Sequence, residues 1–272
     1  MQQEFLPGSQ EKKLKRLPGF VQNRFYLFIV SLILALITWQ ILVMIFKIPS
    51  FLLPSPIQVA QRFILAFKTG LIQRHLSYTL LEVLLGLFSG SILATLVGYW
   101  LAKSPVLENI ISPYLVASQA IPIVAIAPLI IIWFGPGLLA KVIICALIVF
   151  FPVLINTVIG LREVPQDLHH LMHSLYASRL QTLRYLEIPS ALPVLLGGLR
   201  VGATLSVIGA IVGELVGSDR GMGFLINVGR GQYDTALVFV AVITLIIMAS
   251  SLYALVVLLE KRLLAWQTWR KS

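Results

Sequence analysis

Three ionisable side chains stand inside long apolar stretches, and three histidines crowd one polar loop. Glu82, Arg200 and Glu214 are each flanked by aliphatic residues. A charge surrounded by hydrocarbon is costly, so such a residue is read as functional until a structural partner is found. These three are candidate lining for a solute pathway. Gln119 and Pro122 join them: Gln119 lies one turn before Pro122, whose missing N–H invites a kink and releases a carbonyl. The competing reading, strongest for Arg200, is a structural ion pair or a side chain snorkelling to an interface. Arg200 and Glu214 are fourteen residues apart, about 21 Å along a helix axis, so they do not pair with each other.

The histidines invite a metal reading. His169 and His173 stand at i and i+4, a spacing that binds zinc, but only Asp167 is beside them. A structural zinc site takes four ligands, so no metal is assigned. No catalytic residue is assigned either, because G-x-S-x-G, H-E-x-x-H and closely spaced carboxylate pairs are all missing. The chain also lacks G-x-x-x-x-G-K-[ST], so it cannot cradle ATP in a phosphate loop of that kind. No cofactor is assigned to it, and nucleotide energy would have to arrive through another polypeptide.

The elements that carry these residues are apolar. Hydrophobic residues make up 58% of the chain and charged residues 12%, against about a quarter charged in soluble domains. Six stretches of about 20 residues are long enough to cross a bilayer: 26–46, 78–102, 113–134, 138–160, 192–216 and 235–259. They run continuously without a period of two, which predicts helices and not barrel strands. The fold class is therefore an all-α membrane protein with about six transmembrane helices. One membrane domain over 26–260 follows, between polar tails at 1–25 and 261–272. The first span is too long for a cleaved leader and lacks a small-x-small site.

The net charge of +10 does not imply nucleic acid. With the N-terminus inside, thirteen Lys and Arg fall in cytoplasmic stretches and seven, Lys141 among them, in outer stretches or rims. That is the positive-inside pattern, and it predicts a multi-pass plasma-membrane protein with both termini in the cytoplasm. Cys145 lies alone in the fourth span and carries no redox information.

Two spans carry packing faces. Gly86, Gly90, Ala94 and Gly98 recur every four residues. Gly198, Gly202, Gly209 and Gly213 fall at about 0°, 40°, 20° and 60° on a helical wheel, one narrow stripe. Small faces let helix backbones approach in lipid, within one bundle or across a dimer. Between the first two spans, Pro49, Pro54 and Pro56 precede an interfacial amphipathic helix.

Residues 161–190 form a polar break between the fourth and fifth spans. After Pro165, which suits a helix start, the apolar residues gather on one arc. Setting Leu168 at 0° puts Met172 at about 40°, Leu175 at −20° and Leu171 at −60°, while His169, His173 and His170 fall at about 100°, 140° and 200°. A helix lying on headgroups carries Lys or Arg on its polar face; this one carries histidines, which fits a helix laid into a groove of another protein.

The loop resembles the coupling loop of ABC importer permeases, whose pattern is EAA, three residues, Gly, nine residues, then I-x-L-P. Leu186, Ile188 and Pro189 match its end, which places His170, Leu171 and Met172 at EAA and Tyr176 at Gly. None of the EAA letters is kept, and Tyr replaces a glycine that would tolerate positive φ. The segments FLLPSP, QAIPIVAIAPLIIIWFGPG, FFPVLINTVIGL, IPSALPVLLGGLRVG and VIGAIVGELVG look like the nitrate/sulfonate/taurine branch of these permeases. Their wording is closest to permeases for vitamins and vitamin precursors such as riboflavin or hydroxymethylpyrimidine.

The resemblance implies a cytoplasmic coupling helix between helices 4 and 5, docking through Leu168, His170, Leu171, Met172, Leu175, Tyr176, Leu186, Ile188 and Pro189 onto a separate ATP-binding subunit. It further implies a permease homodimer and an extracytoplasmic substrate-binding protein. The transported solute would be riboflavin or a thiamine or pyrimidine precursor, with alkanesulfonate, taurine or nitrate as the alternative. A stand-alone secondary transporter or channel is the rival class. Such proteins often show paired inverted repeats, and no such symmetry is visible in the sequence.

Overall fold

The computed structural model describes residues 24–266, and no strand occurs among them. The chain divides after Pro56 into two compact units. The first holds α1 (Arg24–Ile45), an apolar helix of 22 residues whose membrane-crossing window has no buried residue.

The second unit opens with the expected amphipathic helix, α2 (Pro56–Lys68), which buries Val59 and Ala66. Gly70, at φ 73°, turns the chain into α3 (Leu71–Lys103). Ser104 accepts from the Leu107 N–H and Pro105 occupies the first turn, which together start α4 (Pro105–Gln119). Then follow α5 (Ile123–Phe134), α6 (Leu138–Arg162), α7 (Gln166–Ser174) and α8 (Arg179–Thr182). The last is opened by a capping box between Ser178 and Gln181. A π turn, Leu183–Glu187, leads into α9 (Ile188–Val216), and α10 (Met222–Gly231) and α11 (Thr235–Leu263) complete the unit.

Helices α3, α6 and α9 form its centre, and glycine is what brings them together. A Cβ added at Gly90 would stand 2.6 Å from the Ala146 carbonyl oxygen, and one at Gly209 would stand 2.8 Å from the Cys145 Cα. Gly86 and Gly98 of α3 likewise meet Cys145 and Thr157. Gly198, Gly202 and Gly213 of α9 meet Asn156, Val149 and Lys141. Both small-residue faces are therefore spent on α6 of the same chain. Around this contact Val83, Cys145, Ala203, Val207 and Ala210 pack with Met222 and Leu225 of α10 and with Ala241 and Leu245 of α11.

The architecture is the all-α membrane fold read from the sequence, with five helices long and apolar enough to cross and a sixth crossing only if α4 and α5 are counted as one bent span. Several bounds need correction. The third span is not one kinked helix from 113. It starts at Pro105 and breaks by 95° between Gln119 and Ile123, where Pro122 caps α5 with an extended ψ of 121°. Pro128 sits inside α5, so the kink expected there does not break the helix. The second span begins seven residues early, at Leu71 in place of 78. Pro165 is the N-cap of α7, one position before the first helical residue. The short helix α10 was not expected.

Two glycines on α9 give a test of this packing. Gly209→Ala pushes a methyl into backbone and should cost about 1–3 kcal/mol, the range for overpacking. A Cβ at Gly197 meets nothing within 4 Å, so Gly197→Ala should raise stability by about 0.5–1 kcal/mol through helix propensity. Thermal unfolding of the detergent-solubilised chain should show opposite signs for the two variants.

Candidate functional site

At one end of the bundle lies α7, which buries no residue. Its apolar arc is turned outward: Leu171 is 54% and Leu175 67% exposed, with Leu168 also exposed and Met172 half-buried. Tyr176 follows with φ 53° and a ring 96% exposed. The position where the resemblance expects glycine thus does adopt the left-handed conformation, which a non-glycine residue enters at a cost of about 1–2 kcal/mol. His170 and Ile188 are exposed and Pro189 is half-buried. Leu186 is a correction: at 8% exposure it faces the interior and anchors the loop instead of presenting itself to a partner. His169 points back toward the body, its Nε2 3.4 Å from Glu187 Oε1, so it does not aim at His173.

At the opposite end lies a buried polar cluster that joins α3, α6, α9 and α10. Lys141 of α6 is fully buried, with Nζ 3.3 Å from Glu82 Oε1. It donates to Ser218 Oγ at 2.6 Å and lies 5.0 Å from the Tyr78 ring. Glu214, also fully buried, accepts from the Thr79 hydroxyl at 2.6 Å and from the Gly223 N–H at 2.6 Å. The Met222 N–H donates to Thr79 Oγ1 at 2.8 Å and the Gly221 N–H to His75 Nδ1 at 3.1 Å. Three successive N–H groups at the start of α10, orphans in any helix, are thereby taken up by side chains of α3 and α9. The Glu214 carboxylate also sits where the helix dipole is positive. Gly221 is required here: its φ is 102°, and a Cβ would fall 2.0 Å from Glu214 Oε1.

The candidate pathway residues divide accordingly. Glu82 and Glu214 both enter this cluster fully buried, Glu82 beside Lys141 and Glu214 against Thr79 and the start of α10. Arg200 is paired with Glu260 and lies 5.8 Å from the Tyr253 ring, a bond between α9 and α11. Pro122 is exposed at the 95° break. Gln119 does border a cavity, of about 270 Å³ between α4 and α6. Ser112 and the Glu108–Arg162 ion pair supply the cavity's other polar groups. A larger groove of about 710 Å³ between α3, α9 and α11 is lined almost wholly by aliphatic side chains such as Leu84, Leu195 and Leu252. It offers little that would orient a polar solute.

Residues 86–265 match the family model for the binding-protein-dependent transport system inner membrane component. The chain belongs to this family. It is thus the permease subunit of an ABC importer, a multi-pass protein of the inner membrane. A riboflavin transport system permease protein of Chloroflexus aurantiacus is 48% identical over 238 residues, covering 88% of this chain and 89% of that one. A formylaminopyrimidine transport permease protein of Halalkalibacterium halodurans is 34% identical over 235 residues, covering 86% and 93%. A taurine transport system permease protein of Escherichia coli is 29% identical, covering 87% and 88%.

Sequence reasoning missed His75, Thr79 and Lys141 in this permease. Lys141 was counted among outer-rim charges, whereas it is wholly covered by protein. Its position three residues into a run of aliphatic residues was the available signal, since a lysine so placed needs a named counter-charge. Lys141→Met leaves Glu82 buried without its cation and is expected to destabilise by about 3–5 kcal/mol. Adding Glu82→Gln to it should restore much of the loss, because the stranded charge is removed. Unfolding of both variants in detergent checks this, and a double variant no better than Lys141→Met would refute the pairing.

Proposed function

We propose that this permease carries riboflavin, or a thiamine or pyrimidine precursor, across the inner membrane as a homodimer with two separate ATP-hydrolysing subunits and an external binding protein. ATP is used by the partner and no cofactor belongs to this chain. In this reading α7 is the cytoplasmic coupling helix and both termini are cytoplasmic. Closure of the ATPase subunits displaces the two α7 helices, and the paired bodies switch between outward and inward facings as rigid units.

The observation that carries the reading is the uncovered apolar arc Leu168, Leu171, Leu175 followed by Tyr176 on a loop outside the spans. Burying a leucine contributes about 1.5–3 kcal/mol, so two leucines and a tyrosine suffice to hold a helix in a groove. The substrate choice rests on the 48% identity to a riboflavin permease protein and the 34% identity to a formylaminopyrimidine one. Taurine and alkanesulfonates follow as the second choice, from relatives at 29%.

Leu171→Asp and Leu175→Asp should each reduce co-purification of the ATPase subunit by about tenfold or more, equivalent to at least 1.4 kcal/mol, while the permease itself stays folded. Retention at native level in both variants would remove the docking role from α7. Tyr176→Gly separates ring from backbone. It relieves about 1–2 kcal/mol of left-handed strain and adds a comparable chain-entropy cost of about 1 kcal/mol. Stability should therefore hardly move, and weakened co-purification in this variant would report the ring.

Uptake settles the cargo. Proteoliposomes holding the complete importer should accumulate radiolabelled riboflavin with ATP, and excess taurine should not compete. Competition by taurine but not by riboflavin would select the second choice. Uptake by the permease alone on an ion gradient would support a stand-alone transporter.

A further inference from the structure

Glu187 is the one charged residue below a tenth exposed at the α7 end of the bundle, at 3% among the described residues. It closes the π turn Leu183–Glu187 that carries the chain from α8 into α9. Turns of this kind recur at functional positions because they interrupt the regular helical ladder. One oxygen, Oε1, receives two partners from distant parts of the chain. Lys103 Nζ, on the last residue of α3, lies at 2.5 Å, and His169 Nε2, on α7, at 3.4 Å. Lys103 is itself steadied 5.7 Å above the Tyr99 ring.

Among the described residues, this is the one polar side-chain contact that ties α7 to another helical element. Its other side-chain bonds are local: His169 Nδ1 lies 3.4 Å from the Pro165 carbonyl, and the Ser174 hydroxyl donates to the His170 carbonyl at 3.0 Å. By polar side-chain contact the helix is therefore tied to the rest of the unit at one buried carboxylate, which also meets Lys103 of α3 and stands at the start of α9.

We propose that Glu187 is the positioning residue through which displacement of α7 reaches α3 and α9 together. The inference rests on the reading of α7 as the docking helix. The mechanism is electrostatic and mechanical. A carboxylate with so little access to water cannot leave its Lys103 cation without losing that compensation, so a displacement of α7 carried through the His169 contact moves Glu187, and Glu187 draws Lys103. The 33 residues of α3 and 29 of α9 behave as rods about 50 and 44 Å long at 1.5 Å per residue. Movement at this end is thereby delivered to the Glu82–Lys141–Glu214 cluster at the other.

The test uses the full complex of permease and ATPase subunit in lipid nanodiscs. A Cys145→Ala, Gln119→Cys background places a reporter thiol beside the α4–α6 cavity. The rate of labelling by a water-soluble maleimide is measured without nucleotide and with ATP plus vanadate. With native Glu187 the rate should change about fivefold or more, and with Glu187→Gln or Lys103→Met by less than about twofold, as expected when the two facings are no longer biased. ATPase co-purification and basal hydrolysis should remain within about twofold of native in both variants, since the docking face is untouched. The exchange Lys103→Glu with Glu187→Lys should recover at least about half of the labelling change, because the pair is rebuilt with reversed sign. An undiminished change in Glu187→Gln overturns the proposal. So does loss of the assembled complex in the single variants, or an exchange that recovers nothing, either of which reduces Glu187 to a folding residue. If the Glu187-bearing complex does not assemble, or assembles and shows no nucleotide-dependent change, the docking reading itself fails.

Discussion

The close approach of α3 and α9 to α6 is the contact on which the rest of the structure depends. Lipid supplies no hydrophobic force between helices, so association rests on van der Waals fit and on how near the backbones come. Side chains as small as a methyl are excluded at Gly90 and Gly209 by backbone atoms of Ala146 and Cys145. A frame assembled this tightly has few alternative registers, because a shift of one residue on α6 would place a side chain where a backbone atom now stands. Groups at opposite ends of the three helices are thereby fixed relative to one another.

Buried charge is placed only where that frame already fixes its partner. Glu82 and Lys141 meet across α3 and α6, and Glu214 reaches from α9 to receive the start of α10. At the far end Glu187 meets Lys103. A buried ion pair is weak evidence of net stability, since desolvation offsets most of its attraction, but losing one member is severe. Such pairs penalise wrong registers more than they reward the right one. The frame and its charges support each other: glycine contacts bring the ionisable groups within reach, and those groups punish slippage of the helices.

What the sequence made legible follows from periodicity. The long apolar runs, the amphipathic α2 and α7, and the two glycine stripes are all local patterns, and all formed except the third run, which is split into α4 and α5. The positive φ at Tyr176 falls where the family resemblance places a glycine, whereas the tyrosine itself gave no sign of it. Other features are set by contacts between distant segments. That Lys141 belongs to Glu82 depends on the register of α6 against α3. That Leu186 turns inward depends on the π turn, which no periodic pattern announces. The 95° break at Pro122 exceeds what a single proline dictates, since Pro128 leaves α5 unbroken. The difference is local: Ala120–Pro122 falls between two helices, whereas the residues preceding Pro128 stay in α5. For α10, the Gly221 and Gly223 pair was visible, but its meaning depends on Glu214 lying where a Cβ would be.

Burial is distributed unevenly, and the unevenness has a direction. Within the second unit, α3, α6 and α9 bury ten, nine and eleven residues, whereas α4 and α7 bury none and α5 only Ala127 and Ile130. Elements with few buried contacts open at the lowest free-energy cost and are the ones drawn into conformational change. α4 and α5 carry Gln119, Pro122 and the polar wall of the α4–α6 cavity, and α7 carries the apolar arc. Had these elements been packed as densely as α6, any displacement would have to break the glycine contacts themselves. Thin cover lets these elements shift at low cost without disturbing the part that keeps register. For α7, which lies outside the candidate spans, the same thin cover leaves an apolar arc with much to gain from a second protein, because each leucine a partner buries there adds stabilisation and does not replace an existing contact.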